Sequence, residues 1–158
     1  MNWRNTTDWK DKLFAALVYF FPLYTALNFG VFLFQQFPIL NIIKIPLIPL
    51  AIINQIPFGG LIIFFILFSA VVRNQNISHF IRFNTMQAIL MEILLILVSL
   101  IFNVLLGALA GTLITETIFN TIFIGTLAAC GYGMIQSASG KYPEIPLISE
   151  AASGQVPW

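Results

Sequence analysis

SHFIRFNTMQAILMEILLILVSLIFNVLLGALAG, Ser78 to Gly111, begins like a surface helix and ends like lipid. Its apolar part exceeds the roughly 20 residues needed to cross a bilayer core of about 30 Å. Yet it carries Arg82, Asn84, Gln87 and, well inside, Glu92. Helical spacing sorts these groups. At about 100° per residue, Thr85, Ala88, Ser99, Asn103 and Ala110 fall within roughly 40° of Glu92, whereas Leu90 and Leu97 lie opposite. The polar members Thr85, Glu92, Ser99 and Asn103 therefore form one stripe. A charged residue at the centre of a span costs about 2.5 to 3.5 kcal/mol, and each Leu, Ile, Phe or Val returns about 0.3 to 0.6. The fifteen such residues between Ile89 and Leu109 offset the cost of insertion. They do not satisfy the carboxyl oxygens, so Glu92 must face protein or water or be protonated. Asn28 and Asn120 are candidate partners. Two uses of the stripe stand side by side: hydrogen bonds within a packed bundle, or a wet path or polar docking surface.

The rest of the chain has the same character. Of 158 residues, 59% are hydrophobic and 8% charged, about a third of the roughly 25% typical of soluble domains. The sixteen Phe exceed what a water-soluble chain of this length could hide, so lipid must cover the remainder. A net charge of +1 supplies no footprint for nucleic acid. The single Cys130 and single His79 exclude a disulfide framework and a Cys- or His-rich metal site. No cofactor motif stands out.

Four spans are expected, at about 13–34, 56–73, 84–110 and 115–136, in an all-α, polytopic, single membrane domain covering 1–158. Between the first two lies QQFPILNIIKIPLIPLAIINQIP, with Pro38, Pro46, Pro49 and Pro57. Proline at that density breaks a helix repeatedly, so the segment is expected along an interface or dipping in and returning, or pressed as an apolar loop on its own bundle. The run from Leu13 to Phe34 is longer than a signal-peptide core and is expected to be retained, and no transit-type leader precedes it. With four spans, Arg4, Lys10, Lys12, Arg73, Arg82 and Lys141 share a side that opposes only Lys44. The positive-inside rule then puts both termini in the cytoplasm or stroma, with Trp3, Trp9 and Trp158 as interface anchors on that side. The glycosylation triplets at Asn5 and Asn76 fall on this inner side and read as chance.

Gly107 and Gly111, and Thr121, Gly125, Ala129 and Gly133, recur at intervals of four. Small residues so spaced let helix backbones approach closely in lipid, within the chain or between copies. Catalytic motifs are missing: there is no HExxH or GxSxG, and Glu92 and Glu116 are isolated acids. The chain does not read as an enzyme. The tripeptide Gly131-Tyr132-Gly133 lacks the preceding Thr and Val of a potassium filter and sits inside a span.

ISHFIRFNTMQAILMEI resembles the signature at the start of the third span in the twenty-kilodalton subunit family of the chloroplast inner-envelope protein translocon, the TIC complex, which includes cyanobacterial and plastid-encoded members. DKLFAALVYFFPLYTALNFGVFLFQQFP, the Pro-rich stretch and KYPEIPLISEAA are similar to that family too, so the resemblance covers nearly the whole chain. The matching positions are Arg82, Phe83, Asn84, Met86, Gln87 and Ala88, with Pro143, Pro146 and Glu150 near the C-terminus; the family assigns them no chemical role. The resemblance implies a non-catalytic membrane subunit of a protein-import translocon, in the plastid inner envelope or the related cyanobacterial inner membrane. Without a transit-type leader the chain is similar to the cyanobacterial or plastid-encoded forms. Implied partners are the bilayer, other translocon subunits, the preprotein and, through the small-residue rows, further copies of the chain. The alternatives are a structural scaffold without substrate contact and a small-solute or ion transporter, which would want broken helices around a binding site.

Overall fold

A computed structural model of the chain describes residues 8–105, 107–109 and 111–157. Trp3, Arg4, the Asn5 triplet, Ala110 and Trp158 lie outside the described residues. All regular structure among the described residues is helical: α1 (Trp9–Leu17), α2 (Phe20–Ala26), α3 (Val31–Gln36), α4 (Ile48–Ile53), α5 (Gly59–Ile66), α6 (His79–Leu105), α7 (Leu113–Ala138) and α8 (Ile148–Gln155).

Pro22 explains the break between α1 and α2. It has no N–H and its ring clashes with the carbonyl four residues back, that of Val18. That carbonyl instead accepts from Phe21 N at 3.2 Å, and Tyr19 N likewise reaches back three residues to Ala16 at 3.3 Å. The rod tightens there but continues through a 3₁₀ turn, Leu27–Phe29. At Gly30 an added Cβ would meet the Phe34 and Phe123 rings at 2.7 and 3.0 Å, which fixes the close approach of α3 to α7.

Among the described residues three helices are long and apolar enough to cross a membrane: Trp9–Phe29, His79–Val104 and Leu113–Ala138. The second expected span is shorter. α5 and the π turn that follows it, Leu67–Val72, make an apolar helix over Gly59–Val72, which at 1.5 Å per residue reaches only about 21 Å. Its start is fixed by contact: a Cβ on Gly59 would collide with the Ile53 carbonyl. The Pro-rich stretch forms a 3₁₀ segment, Pro38–Leu47, then α4. Leu47, 1% exposed, packs with Tyr19 and Leu23, while Ile39, Ile42, Ile45, Ile48 and Ile52 face outward.

α6 begins five residues before the expected third span and ends at Leu105, short of the expected 110, whereas α7 runs two residues past the expected fourth span at each end because polar turns cap it. The Thr112 side chain accepts from Thr115 N, with Glu116 in the first turn of α7, where a negative charge is favoured. The other end of α7 closes on Gly140 at φ 81°. Gly140 N reaches Ser137 O and Lys141 N reaches Gln136 O, the two bonds of a Schellman cap.

A series of contacts sets the direction of each rod. Tyr19 meets Asn84 and Ser137, Thr25 meets Glu92, Phe29 meets Phe102 and Phe119, and Gln36 meets Glu116. The α1–α3 rod therefore runs parallel to α6 and antiparallel to α7. Val72 and Arg82 lie together, and Gly60 lines a groove with Ile96, so α5 runs antiparallel to α6 along its first two-thirds. α8 folds back on the start of α6, burying Ala152 and Val156 against Val72, Phe83, Met86 and Ile89. The start of α6, the end of the π turn and the C-terminal segment share one end of the bundle, called here the terminal end.

Candidate functional site: the polar face of α6

The first two turns of α6 hold a closed network. Asn84 and Gln87 are both fully buried, where an unmade hydrogen bond costs about 1 to 3 kcal/mol. Both polar side-chain atoms of Asn84 are bonded. Tyr19 Oη donates to Asn84 Oδ1 at 2.6 Å, Ser137 Oγ donates to the same oxygen at 2.8 Å, and Asn84 Nδ2 donates to the Phe80 carbonyl at 2.8 Å. Gln87 Nε2 donates to Tyr19 Oη at 3.0 Å, and Gln87 Oε1 accepts from Ser149 Oγ at 2.6 Å. Ser149 Oγ accepts in turn from Ile145 N at 2.7 Å. Donors and acceptors thus alternate along one chain from the C-terminal segment, through α6, to the junction of α1 and α2 and to α7. Thr85 closes on its own helix, donating to Ile81 O.

The other signature positions build the terminal end. Arg82 Nε donates to Val72 O at 2.8 Å, a cation at the last turn of a helix where its carbonyls collect partial negative charge. Phe83 and Tyr142 pack edge to face at 5.2 Å; Met86 sits with Phe83 and Val156, and Ala88 with Tyr19 and Met91. Pro143 is buried and Pro146 and Glu150 are exposed. His79 Nε2 lies 2.7 Å from the Val156 carbonyl, so that nitrogen carries the proton, and Nδ1 accepts from Tyr142 Oη at 2.9 Å. Burial pushes the Tyr142 phenol up to about 12; like an ordinary tyrosine it is protonated and able to donate at neutral pH. His79→Ala removes two of the side-chain bonds that hold the C-terminal segment and leaves the one from Ser149 to Gln87. Limited proteolysis within residues 141–157 is expected to speed up about ten-fold, two bonds at roughly 0.5 to 1.5 kcal/mol each; an unchanged cleavage rate would show that the Ser149–Gln87 bond and apolar contact hold the segment without His79.

Deeper along the stripe the network stops. Glu92, 6% exposed, accepts at Oε1 from Thr25 Oγ1 at 2.7 Å. Its other oxygen, Oε2, is buried with no hydrogen-bond partner among the described residues. The partner is thus Thr25, one helical turn before the expected Asn28. Asn28 instead lines a groove of about 260 Å³ with Phe29, Ser99, Phe102, Asn103 and Phe119, where Asn103 is exposed and Ser99 half-buried. Asn120 sits elsewhere on α7, with its own Oδ1 buried and unpartnered among the described residues.

The small residues divide as well. A Cβ on Gly133 would meet the Tyr19 ring at 2.7, 2.8 and 3.0 Å, whereas one on Gly107, Gly111 or Gly125 would meet nothing within 4 Å. Gly125 and Ala129 line an outward groove of about 280 Å³ with Thr121 and Thr126. Gly131-Tyr132-Gly133 lies in the unbroken helix α7. Tyr19, Thr25, Ser137 and Ser149 were not singled out from the sequence. Each is one polar residue in an apolar or loop segment, and only knowledge of which helix faces which would have selected them.

Fold and site together define a helical membrane protein that buries the polar side chains at the start of α6 inside its bundle. The chain matches a family model described as "Chloroplast import apparatus Tic20-like" over residues 2–152. It is 53% identical over 154 residues to a Tic20 family protein of Synechocystis sp., covering 96% of both chains. It is 35% identical over 154 residues to Protein TIC 20-v, chloroplastic, of Arabidopsis thaliana, covering 96% of this chain and 74% of that one. It is 36% identical over 153 residues to Tic20 family protein Ycf60 of Gracilaria tenuistipitata var. liui, covering 92% and 75%. The chain belongs to the Tic20 family.

Proposed function

We propose that the chain is a non-catalytic membrane subunit of the protein-import machinery that frames the path of preproteins across the plastid inner envelope or the related cyanobacterial membrane. The family match and the chloroplast import role in its description support import. The observation that carries the framing role is the division of the α6 stripe. Asn84 and Gln87 are consumed inside the bundle, so that stretch offers a preprotein nothing, while Ser99 and Asn103 open with Asn28 into a groove at the end away from the termini.

Four crossings with both termini on one side remain the preferred topology. Gly59–Val72 is short by itself, but the Pro-rich segment approaches it from the opposite end, and the two in series complete a return crossing. Lys10, Lys12, Arg73, Arg82 and Lys141 belong to segments near the terminal end. Lys44 lies 4.3 Å over the Phe34 ring, beyond the middle of the first rod. That asymmetry supports a stromal or cytoplasmic terminal end. A scaffold without substrate contact is the second reading, favoured by the outward groove at Gly125 and Ala129, whose small residues suit a further subunit or a second copy.

Photocrosslinking during arrested translocation of a labelled preprotein separates the two. A probe at Asn103 is expected to give a preprotein adduct, and a probe at Leu97, half-exposed on another face, is expected to give none. Adducts from Asn103 only to other membrane subunits would make the chain a scaffold.

A further inference from the structure

We propose that the cavity between α8 and the start of α6 is a docking site for an arginine-bearing segment of another protein. The cavity, about 530 Å³, lies at the terminal end and is walled by the start of α6, the loop 142–147 and one face of α8. It falls within the roughly 300 to 1,000 Å³ of ligand pockets, room for one long side chain with its flanking backbone.

Two independent observations select the occupant. The first is the balance of donors and acceptors in the wall. Pro143 and Pro146 have no N–H. Glu144 N reaches Tyr132 Oη at 3.3 Å, and Ile145 N reaches Ser149 Oγ at 2.7 Å. At the start of α8, Ile148 N reaches Pro146 O at 2.8 Å and Ser149 N reaches Ile145 O at 2.9 Å. These backbone donors are taken up within the chain, so an anion finds little to bind. The second observation is charge. Glu144 and Glu150 line the cavity and both are exposed, and neither carboxylate has a hydrogen bond or ion pair among the described residues. No Lys or Arg is among the lining residues described; Arg82, one turn along α6 from His79, is held by Val72 O.

A cation fits such a wall, and the rings choose which. Phe83 and Tyr142 stand in it, packed edge to face at 5.2 Å. A guanidinium is planar, stacks on aromatic rings and presents a fork of donors that matches a carboxylate, whereas an ammonium is a strongly hydrated point charge. The site is also preformed. Two prolines fix the loop and Ser149 pins Ile145, so little ordering is left to oppose binding. The proposal goes beyond the import reading and does not rest on it, because it concerns an exposed face of the terminal end and not the groove of Asn28 and Asn103.

The test uses the purified full chain in nanodiscs of phosphatidylcholine, which carries no net charge to hold a basic peptide. Two fluorescent peptides of the same flexible sequence are compared by anisotropy, one with a central arginine and one with citrulline, its uncharged isostere. The arginine peptide is expected to bind about three- to ten-fold more tightly. Glu144→Gln combined with Glu150→Gln is expected to abolish that preference. Ser153→Lys, which puts a cation into the same wall at an exposed position, is expected to abolish it too. Glu116→Gln removes a carboxylate at the other end of the bundle and is expected to leave it unchanged. Protection of the buried Cys130 from a maleimide dye shows that each variant is folded. Equal binding of the two peptides to the unmutated chain, a preference that survives the double substitution or Ser153→Lys, or one lost equally in Glu116→Gln would each overturn the proposal. No preprotein is present, so the result is independent of the translocation experiment.

Discussion

Gly133→Leu is expected to lower the apparent unfolding midpoint by about 10 °C, the equivalent of roughly 3 kcal/mol in a chain of this length. The first new carbon alone would meet three atoms of the Tyr19 ring within 3.0 Å. A flexible side chain could swing aside, but Tyr19 cannot. It is 0% exposed, its hydroxyl is held between Asn84 and Gln87, and Pro22 has already tightened the backbone around it. The clash must therefore push α7 from the first rod. Gly125→Leu is the matched control, because a Cβ there meets nothing within 4 Å, and its midpoint is expected to stay within about 2 °C. The chain supplies its own reporter: its sole cysteine, Cys130, is buried and becomes reactive to a maleimide dye only as the bundle opens. Equal shifts for the two variants would mean that the Tyr19–Gly133 approach does not hold the helices together.

How far the sequence led differs from one element to the next. The polar face of α6 was legible because every third or fourth residue of one helix lies on the same side, and that arithmetic needs no other part of the chain. The partners of that face were not. Thr25 and Asn28 are one turn apart on the same rod, so either could meet Glu92, and the choice turns on a shift of a few ångströms between helices. The 3₁₀ steps around Pro22 and at Leu27–Phe29 set that shift. The small-residue rows show the same limit: spacing alone made Gly125 and Gly133 equivalent, and only the ring of Tyr19 distinguishes them. The second apolar run looked like a span because hydropathy adds over a window regardless of shape. Phe58 in the left-handed region at φ 61° and the contact of Gly59 with the Ile53 carbonyl begin α5 late, and no hydropathy sum registers either.

That late start links fold to function. α5 begins beside Ile96 and runs back toward Arg82, so Leu100, Ile101 and Val104 further along α6 stay exposed. Asn84 and Gln87 are bonded through both their amide oxygen and their amide nitrogen, whereas Glu92 Oε2 is buried with no hydrogen-bond partner among the described residues. The polar groups of α6 are thus bonded toward the terminal end, and its exposed apolar side chains lie further along, which supports the proposed role inside a larger membrane assembly.

Asn84→Leu tests the rigid half. One amide oxygen accepts from two hydroxyls, those of Tyr19 and Ser137, at 2.6 and 2.8 Å, and both donors are buried where water cannot replace it. Leucine keeps the volume and removes the acceptor, so two buried donors lose their bond at about 1 to 3 kcal/mol each in a dry interior. Bonds between membrane helices run smaller, about 0.6 kcal/mol on average, and a net loss of roughly 2 to 3 kcal/mol is expected. Tyr19→Phe removes one of the same donors and the nearer of the two acceptors of Gln87 Nε2, leaving it the Pro143 carbonyl at 3.5 Å, for about 1 kcal/mol. The double variant is the decisive measurement, since with the tyrosine hydroxyl gone Asn84→Leu has one donor fewer to strand. Its cost is expected to fall short of the sum of the single costs by about 1 kcal/mol. Strict additivity would mean that Tyr19 and Asn84 act separately, and the network joining the first rod, α6 and α7 would have to be abandoned as the source of that end's rigidity.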